Sequence, residues 1–589
     1  MKNLKLFFGT LICFVIGFIS CSDEFLLKEP QASLSGPALT NASGVEGKLI
    51  SAYRTLQGYG LDGGGTWYYS TWSWIFGAIS SDDALKGTDA GDQPEHSFIE
   101  TYDFNTFNVH NRDKWRSAYW GVSRANDVID SANEAEDIPE SRRKEIIAEA
   151  KFIRGWQHFE AQKMYRSPKY IDDEIFDIAD LESTKVPNVG KIWDKIEADF
   201  QAAAVDLPDT QSELGRATKA AALAYLAKAK MYQGWDNGIA NTTKLQEAKT
   251  ILDQIVNSGM YSLVDNFEDN YLVATRNNEE SIFEIQYAIS SSNDESSNKE
   301  IGLAHPYIAP WGCCGFLQAP QDLVDFFQTD PATGLPLLDE SWKTNHITNP
   351  SGSADMIGKP IGNPSIDSRL DHTVGRPGIL FKRFHIMQVD YIRDLTYAGP
   401  YFSKKHIAEP EAFGVGGWGN LSANNFRILR YGHVLLWLAE AEVELGNLER
   451  ARELVNMLRA RAAKPVNFHK EAIQGDTRGE YTLTEDLAAN YNVGTYDTPW
   501  TNKDMARRAV RYETRLETAM EGNRFFDLQR WGVQAEVLND YLVRESKYRV
   551  YLQGKSFTSP KNEFYPIPTY AIDRSFLNGE PTLTQDPNY

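Results

Sequence analysis

Cysteine is scarce. The 589 residues contain 4, at Cys13, Cys21, Cys313 and Cys314, too few and too unevenly placed for a disulfide-stapled fold. Past Ser20 no apolar run approaches the ~18 residues of a membrane-spanning helix. Positive charge is in deficit, with 60 Lys and Arg against 81 Asp and Glu and a net charge of −21. That balance excludes nucleic acid and anionic membrane surfaces as partners, since both demand clustered cations. Catalytic signatures are missing as well: HExxH, GxSxG, a Walker loop and EF-hand spacing do not occur. None of the 10 His stands at metal-ligand spacing with Cys or another His. The sequence therefore calls for no cofactor, no metal and no enzyme. Paired carboxylates for glycoside hydrolysis have no spacing to read, because the separation they need is spatial.

What is present is an ordinary globular composition, 42% hydrophobic and 12% aromatic, in a chain long enough for three or four domains or one large architecture. Lys2 and Lys5 mark the start of an apolar stretch, Leu4 to Ser20, that reads as an export signal. The run ends in Phe18-Ile19-Ser20-Cys21, similar to a bacterial lipoprotein processing site with Phe18 in place of the usual Leu. Cys21 is then the lipid acceptor and the mature N-terminus, and several acyl chains would anchor it stably. The alternative is a secreted protein cleaved near Ser20.

The body reads as mainly α. Ile146, Ala150, Ile153, Gln157 and Ala161 form one stripe within Ser141–Tyr165, and the same periodicity predicts helices over Lys191–Val205, Ala217–Gln233, Leu245–Asn257, Phe426–Leu445, Leu448–Arg461 and Lys503–Met520. Two Ala-rich helices are each followed by a second helix with an early Ala (Ala248, Ala451), as in tetratricopeptide-type hairpins. A helical scaffold over about 110–286 and 426–589 thus carries loop-rich insertions over about 58–110 and 287–425, where Gly, Pro, Ser and aromatics concentrate. Long loops of this kind are more often functional than accidental.

Blocks spread along the chain resemble one family. They are Cys21 to Leu26, Ser81-Asp82-Asp83, Trp115 to Asn126 (WRSAYWGVSRAN), Ala148 to Arg154 (AEAKFIR), Gly215 to Ala221, Arg427 to Glu442 (RILRYGHVLLWLAEAE), Asn456 to Ala462 (NMLRARA), Glu521 to Gly532 (EGNRFFDLQRWG) and the tail from Phe564 to Tyr589. In that order they are similar to the SusD/RagB lipoproteins. The resemblance implies one SusD-like domain over 21–589 after a 1–20 signal peptide, with four tetratricopeptide-like hairpins below a loop-built ligand face. It implies a glycan-binding role on the outer face of the outer membrane, as partner and lid of a SusC-like TonB-dependent transporter. The acidic start Cys21-Ser22-Asp23-Glu24 resembles a surface-export signal of such lipoproteins. Alternatives from other classes are a surface glycan-degrading enzyme and a peptide or glycopeptide carrier.

The family blocks themselves read as structural, with Arg524, Asp527 and Arg530 three residues apart on one helical face in an ionic network. The ligand site then falls to the insertions. A neutral glycan has flat C–H faces and a rim of hydroxyls, so its receptor needs aromatic platforms beside Asp, Asn or Arg. One candidate segment runs from Asp62 through Trp67, Trp72 and Trp74 to Asp82 and Asp83, and core packing is the equal alternative for any single Trp in it. The other holds Tyr307, Trp311, Cys313 and Cys314 in HPYIAPWGCCGF, and Trp311, flanked by Pro310 and Gly312, is the leading platform. The adjacent cysteines either remain thiols or close a vicinal disulfide whose turn presents an apolar face. Arg369, Arg376 and Arg383 of the second insertion are candidate paired donors to adjacent hydroxyls, with a loop-stabilising ion pair the equal alternative for each.

Overall fold

The structure is a computed structural model that describes residues 39–58, 74–236, 238–288, 297–299, 301–308, 310–347, 364–412 and 422–589. Helices of at least eight residues are numbered in chain order. They are α1 Ala42–Arg54, α2 Val109–Glu134, α3 Glu140–Met164, α4 Trp193–Asp206, α5 Lys219–Tyr232, α6 Thr242–Asn257, α7 Tyr431–Glu444, α8 Leu448–Ala462, α9 Lys503–Thr518, α10 Arg524–Trp531 and α11 Gln534–Glu545. Many begin where a side-chain oxygen accepts an orphan N–H. Asn41, Asn108, Thr218, Asn241 and Asn502 each cap in this way.

Consecutive helices from α1 to α7 pack side by side, and α7 also packs on α8 and α9. The connections from α2 to α3, from α5 to α6 and from α7 to α8 are short and turn the chain back on itself, whereas the insertions lie between α1 and α2 and between α6 and α7. The Ala-rich face of α5 is the reason these helices approach closely, with Ala221, Ala224, Ala227 and Ala229 all fully buried. No described helix is long and apolar enough to cross a membrane.

One expected boundary is wrong. The helix placed over Phe426–Leu445 starts only at Tyr431, because Phe426–Arg430 is a β-strand. It pairs antiparallel with Ser281–Ile285, and Arg427 and Arg430 lie 3.4 and 2.9 Å from Glu284 and Glu280. Charge pairing inside the fold outweighs the helical periodicity that begins at Tyr431. Helix α1 also stood outside the expected scaffold, yet it packs on α2 and α3.

The two insertions are built into the core rather than draped over it. Strand β1 (Leu85–Gly87) of the first pairs antiparallel with β2 (Phe316–Gln318) of the second, Leu85 opposite Gln318 and Gly87 opposite Phe316. A five-residue π-turn, Trp74–Ala78, presses on the start of α10. A Cβ on Gly77 would sit 1.9 Å from the Gly522 carbonyl oxygen, so only glycine fits there. Trp74 is fully buried with Phe316 and His96 around it, which makes it core.

Below the insertions lies a buried ionic seam. Glu517 of α9 accepts from Arg369 at 2.9 Å, Arg430 at 2.6 Å and Arg461 at 2.5 Å. Glu513 accepts from Arg369 at 2.6 Å and Arg459 at 3.0 Å. Arg530 donates to Asp527 at 2.8 Å and grips Glu440 at 2.5 and 2.7 Å. The ionic network expected for the EGNRFFDLQRWG block is thus present.

Candidate functional site

Among the expected ligand residues that the structure describes, the best-exposed aromatic ring is Tyr307, 45% exposed. It sits at the junction of both insertions. Its backbone N–H donates to the Tyr391 carbonyl at 2.9 Å, and the Arg393 guanidinium lies over its ring, 5.1 Å from the centroid. Arg393 is itself held by the first insertion, 2.8 Å from Asp89 and 2.6 Å from Asp92, and donates to Thr88 at 2.9 Å. The ammonium of Lys86 fixes that acidic loop from below through the Asp89 and Asp92 carbonyls at 2.8 and 2.9 Å. A half-exposed aromatic ring, one face covered by a guanidinium and flanked by two carboxylates, offers stacking together with polar contacts.

A second donor stands on a nearby hairpin. Leu380–Phe381 pairs with His385–Ile386, and the turn between them puts Lys382 (φ 48°) and Arg383 (φ 64°) in the left-handed region. Neither is glycine, and this conformation costs an L-residue roughly 1–2 kcal/mol. Lys382 offsets part of that by burying its ammonium 3.5 Å from Glu268, with a hydrogen bond to the Tyr271 carbonyl at 3.4 Å. Arg383 is thereby turned outward. Among the described residues its half-exposed side chain pairs only with the exposed Glu411, at 3.2 Å.

Trp311 is not a surface platform: 2% of it is exposed. Its ring packs 4.5 Å from Phe384 and 5.7 Å from Phe381 and Tyr391. The loop folds back through Gly315 N–H to the His305 carbonyl at 2.8 Å and Phe316 N–H to Leu303 at 3.1 Å, so the largest side chain turns inward. A loop without helix or strand anchors itself with its own aromatic residue. Trp311 joins the Tyr307 loop to the Arg383 hairpin.

Other expected ligand residues are also committed internally. Asp82 is 1% exposed and is gripped by Arg524 at 2.8 and 2.9 Å, with Arg515 at 3.2 Å. Although burial disfavours its charge, those two guanidinium groups hold its carboxyl well below the usual carboxylate range. Arg369 and Arg376 are buried, the latter bidentate on Asp371 at 2.8 and 2.7 Å. Cys313 and Cys314 are joined in a vicinal disulfide, with Cys314 in the core and Cys313 half-buried. Asp62, Trp67, Trp72 and Cys21 lie outside the described residues. Arg393, with its clamp of Asp89 and Asp92, was missed, since only the pairing of the insertions brings those residues together.

A family profile described as "SusD family" matches residues 279–589. The chain belongs to the SusD family. A second profile, "Starch-binding associating with outer membrane", matches residues 88–231. SusD-like protein P2 of Formosa agariphila is 23% identical over 433 residues, 72% of this chain and 72% of that protein. Among solved structures, a SusD superfamily protein from Bacteroides vulgatus aligns with a TM-score of 0.66 at 21% identity, over 94% of this chain and 100% of its own. Surface glycan-binding protein A from Bacteroides thetaiotaomicron, solved in complex with laminarihexaose, aligns with a TM-score of 0.65 at 19% identity, over 93% of this chain and 100% of its own. The mainly α architecture described above is therefore the SusD fold, and the blocks that mark the family lie chiefly in its helices and buried ionic seam.

Proposed function

We propose that this SusD-family protein is a non-catalytic, surface-exposed lipoprotein of the outer membrane that captures oligosaccharide or polysaccharide. It delivers the glycan to a SusC-like TonB-dependent transporter, over which it acts as a lid, and it is anchored through Cys21. The observation that carries this reading is the exposed Tyr307 ring beside the clamped Arg393, with Arg383 and the Cys313–Cys314 turn nearby in the same loop-built region. Membership of the family supports it, as does the likeness in fold to a protein solved with laminarihexaose.

The test is titration of a glycan panel by calorimetry with the wild-type protein and Tyr307→Ala. Loss of one stacking ring costs about 1–3 kcal/mol, or roughly 5- to 150-fold in affinity, with the melting temperature unchanged. Unaltered affinity removes Tyr307 from the site. Shortened products after long incubation would make the protein an enzyme, and displacement of glycan by peptides would make the cargo a peptide. On the anchoring side, Cys21→Ala is expected to release the protein from membranes with its fold intact.

A further inference from the structure

A cleft of about 320 Å³ opens between α9, α10, α11 and the Glu340–Lys343 turn, away from the residues of the Tyr307 surface. Its floor is a row of arginines on one face of α9: Arg507, Arg508, Arg511 and Arg515, spaced so that successive guanidinium groups are neighbours. Two of them are neutralised. Arg507 holds Glu444 at 2.6 and 2.8 Å, and Arg515 meets Asp82, Asp83 and Asp322. The other two are not. Among the described residues Arg508 donates only to the Leu338 carbonyl, at 3.0 Å, and Arg511 makes no hydrogen bond or ion pair.

Arg511 lies between two indoles, 4.9 Å from the Trp235 ring and 4.7 Å from the Trp531 ring. Stacking engages the faces of a guanidinium and leaves its in-plane N–H edge as the hydrogen-bonding direction. Burial pushes its pKa down to about 10, so it is charged at neutral pH. Carboxylates line the same cleft, but Asp82, Asp504, Glu340 and Asp540 are already paired with Arg524, Arg507 and Lys343. Glu536 stands exposed at the rim. Trp342, Leu528 and Val537 complete an apolar wall, in a cavity at the small end of the range for organic ligands.

We propose that this cleft is a binding site for an acidic sugar unit, its carboxylate or sulfate seated between Arg511 and Arg508 and its ring against the apolar wall. An oxyanion there meets two adjacent guanidinium groups that make no direct ion pair with a described carboxylate, although Glu440 and Glu444 stand close enough to act on Arg511, and the guanidinium fork suits its paired oxygens.

The experiment titrates the full mature protein with glucuronate, glucose and sodium sulfate, following the labelled indole N–H resonances of Trp235 and Trp531. Glucuronate is expected to bind with saturation and to weaken about tenfold or more in Arg511→Met, with Arg511→Lys intermediate. Glucose is expected to leave both resonances in place. If Arg511→Met melts early, Arg511→Lys and Arg508→Gln carry the same comparison. Equal glucuronate affinity in wild type and these variants overturns the site. Sulfate binding as tightly as glucuronate overturns the sugar-sized ligand.

Discussion

Arg369 and Arg383 belong to the same loop-rich stretch of sequence and end in contrasting places. The Arg369 side chain is fully buried, held by Asp367, Glu513 and Glu517 at 2.6 to 2.9 Å. Arg383 is half exposed, with one exposed carboxylate for company. The first is fixed by several partners in a medium where an unpaired charge is very costly, whereas the second is tied to one surface carboxylate through water-screened forces worth little. Arginine in an insertion is therefore no guide to ligand contact. The number of carboxylates converging on it decides.

Breaking the buried side of this contrast has the largest expected effect. Glu517→Gln strips one charge from a seam shared with Arg369, Arg430 and Arg461, and is expected to destabilise the fold by about 3–5 kcal/mol, measured by denaturant unfolding. The same residue sets an acid limit. Burial disfavours its charge, yet Arg461, Arg430 and Arg369 hold its carboxyl far below the ordinary range. A depressed folded-state pKa contributes stability that is present above the unfolded value, about 4.3 for Glu, and is lost as pH falls toward the folded one. Wild type is expected to lose stability on acidification below about pH 4, and Glu517→Gln to lose less over that interval. Parallel losses in the two proteins would show that Glu517 does not set it.

The buried side was also the legible side. Stripes at three- and four-residue steps locate α3 to α9, because each helix hides one face and the hidden face leaves its period in the sequence. The Arg524, Asp527 and Arg530 spacing similarly announces an ionic face. Loop-borne residues leave no period. Trp311 sits between Pro310 and Gly312, which rules out a helix but says nothing of which way the ring points. Asp82 looked free because its partners, Arg515 and Arg524, are more than four hundred residues away. Arg393 meets Asp89 and Asp92 only after β1 pairs with β2. Phe426–Arg430 was lost to helix α7, since a short strand with charges turned inward lacks the usual alternation.

Trp311 sharpens the contrast from the loop side, with the next largest effect. As a buried hinge between the Tyr307 loop and the Arg383 hairpin, its truncation to Ala is expected to cost about 3–5 kcal/mol of stability, visible as a lower melting temperature with or without glycan. Trp531, equally buried between α10 and its neighbours, is the control expected to lose stability in the same way. Any loss of glycan affinity in Trp311→Ala would then come through a displaced Tyr307, and Trp311→Phe is expected to recover most of it. Early loss of binding with an unchanged melting temperature would return Trp311 to the ligand face.

The smallest expected effect lies at Arg383, and there stability and binding are expected to move apart. Arg383→Ala removes a surface ion pair with Glu411 worth about 0–1 kcal/mol and keeps the Cβ that makes φ 64° costly, so its melting temperature is expected to change little. Arg383→Gly loses the same pair but relieves a left-handed conformation costing roughly 1–2 kcal/mol, against the roughly 0.5–1 kcal/mol by which glycine typically loosens the unfolded chain. These terms leave Arg383→Gly as stable as Arg383→Ala or slightly more so. If the turn is held in this shape to present a donor to glycan hydroxyls, both variants lose affinity by a similar factor despite that difference, as strain kept at functional positions implies. A Gly variant that binds glycan as wild type does would remove Arg383 from the ligand surface and leave Tyr307 and Arg393 to carry it.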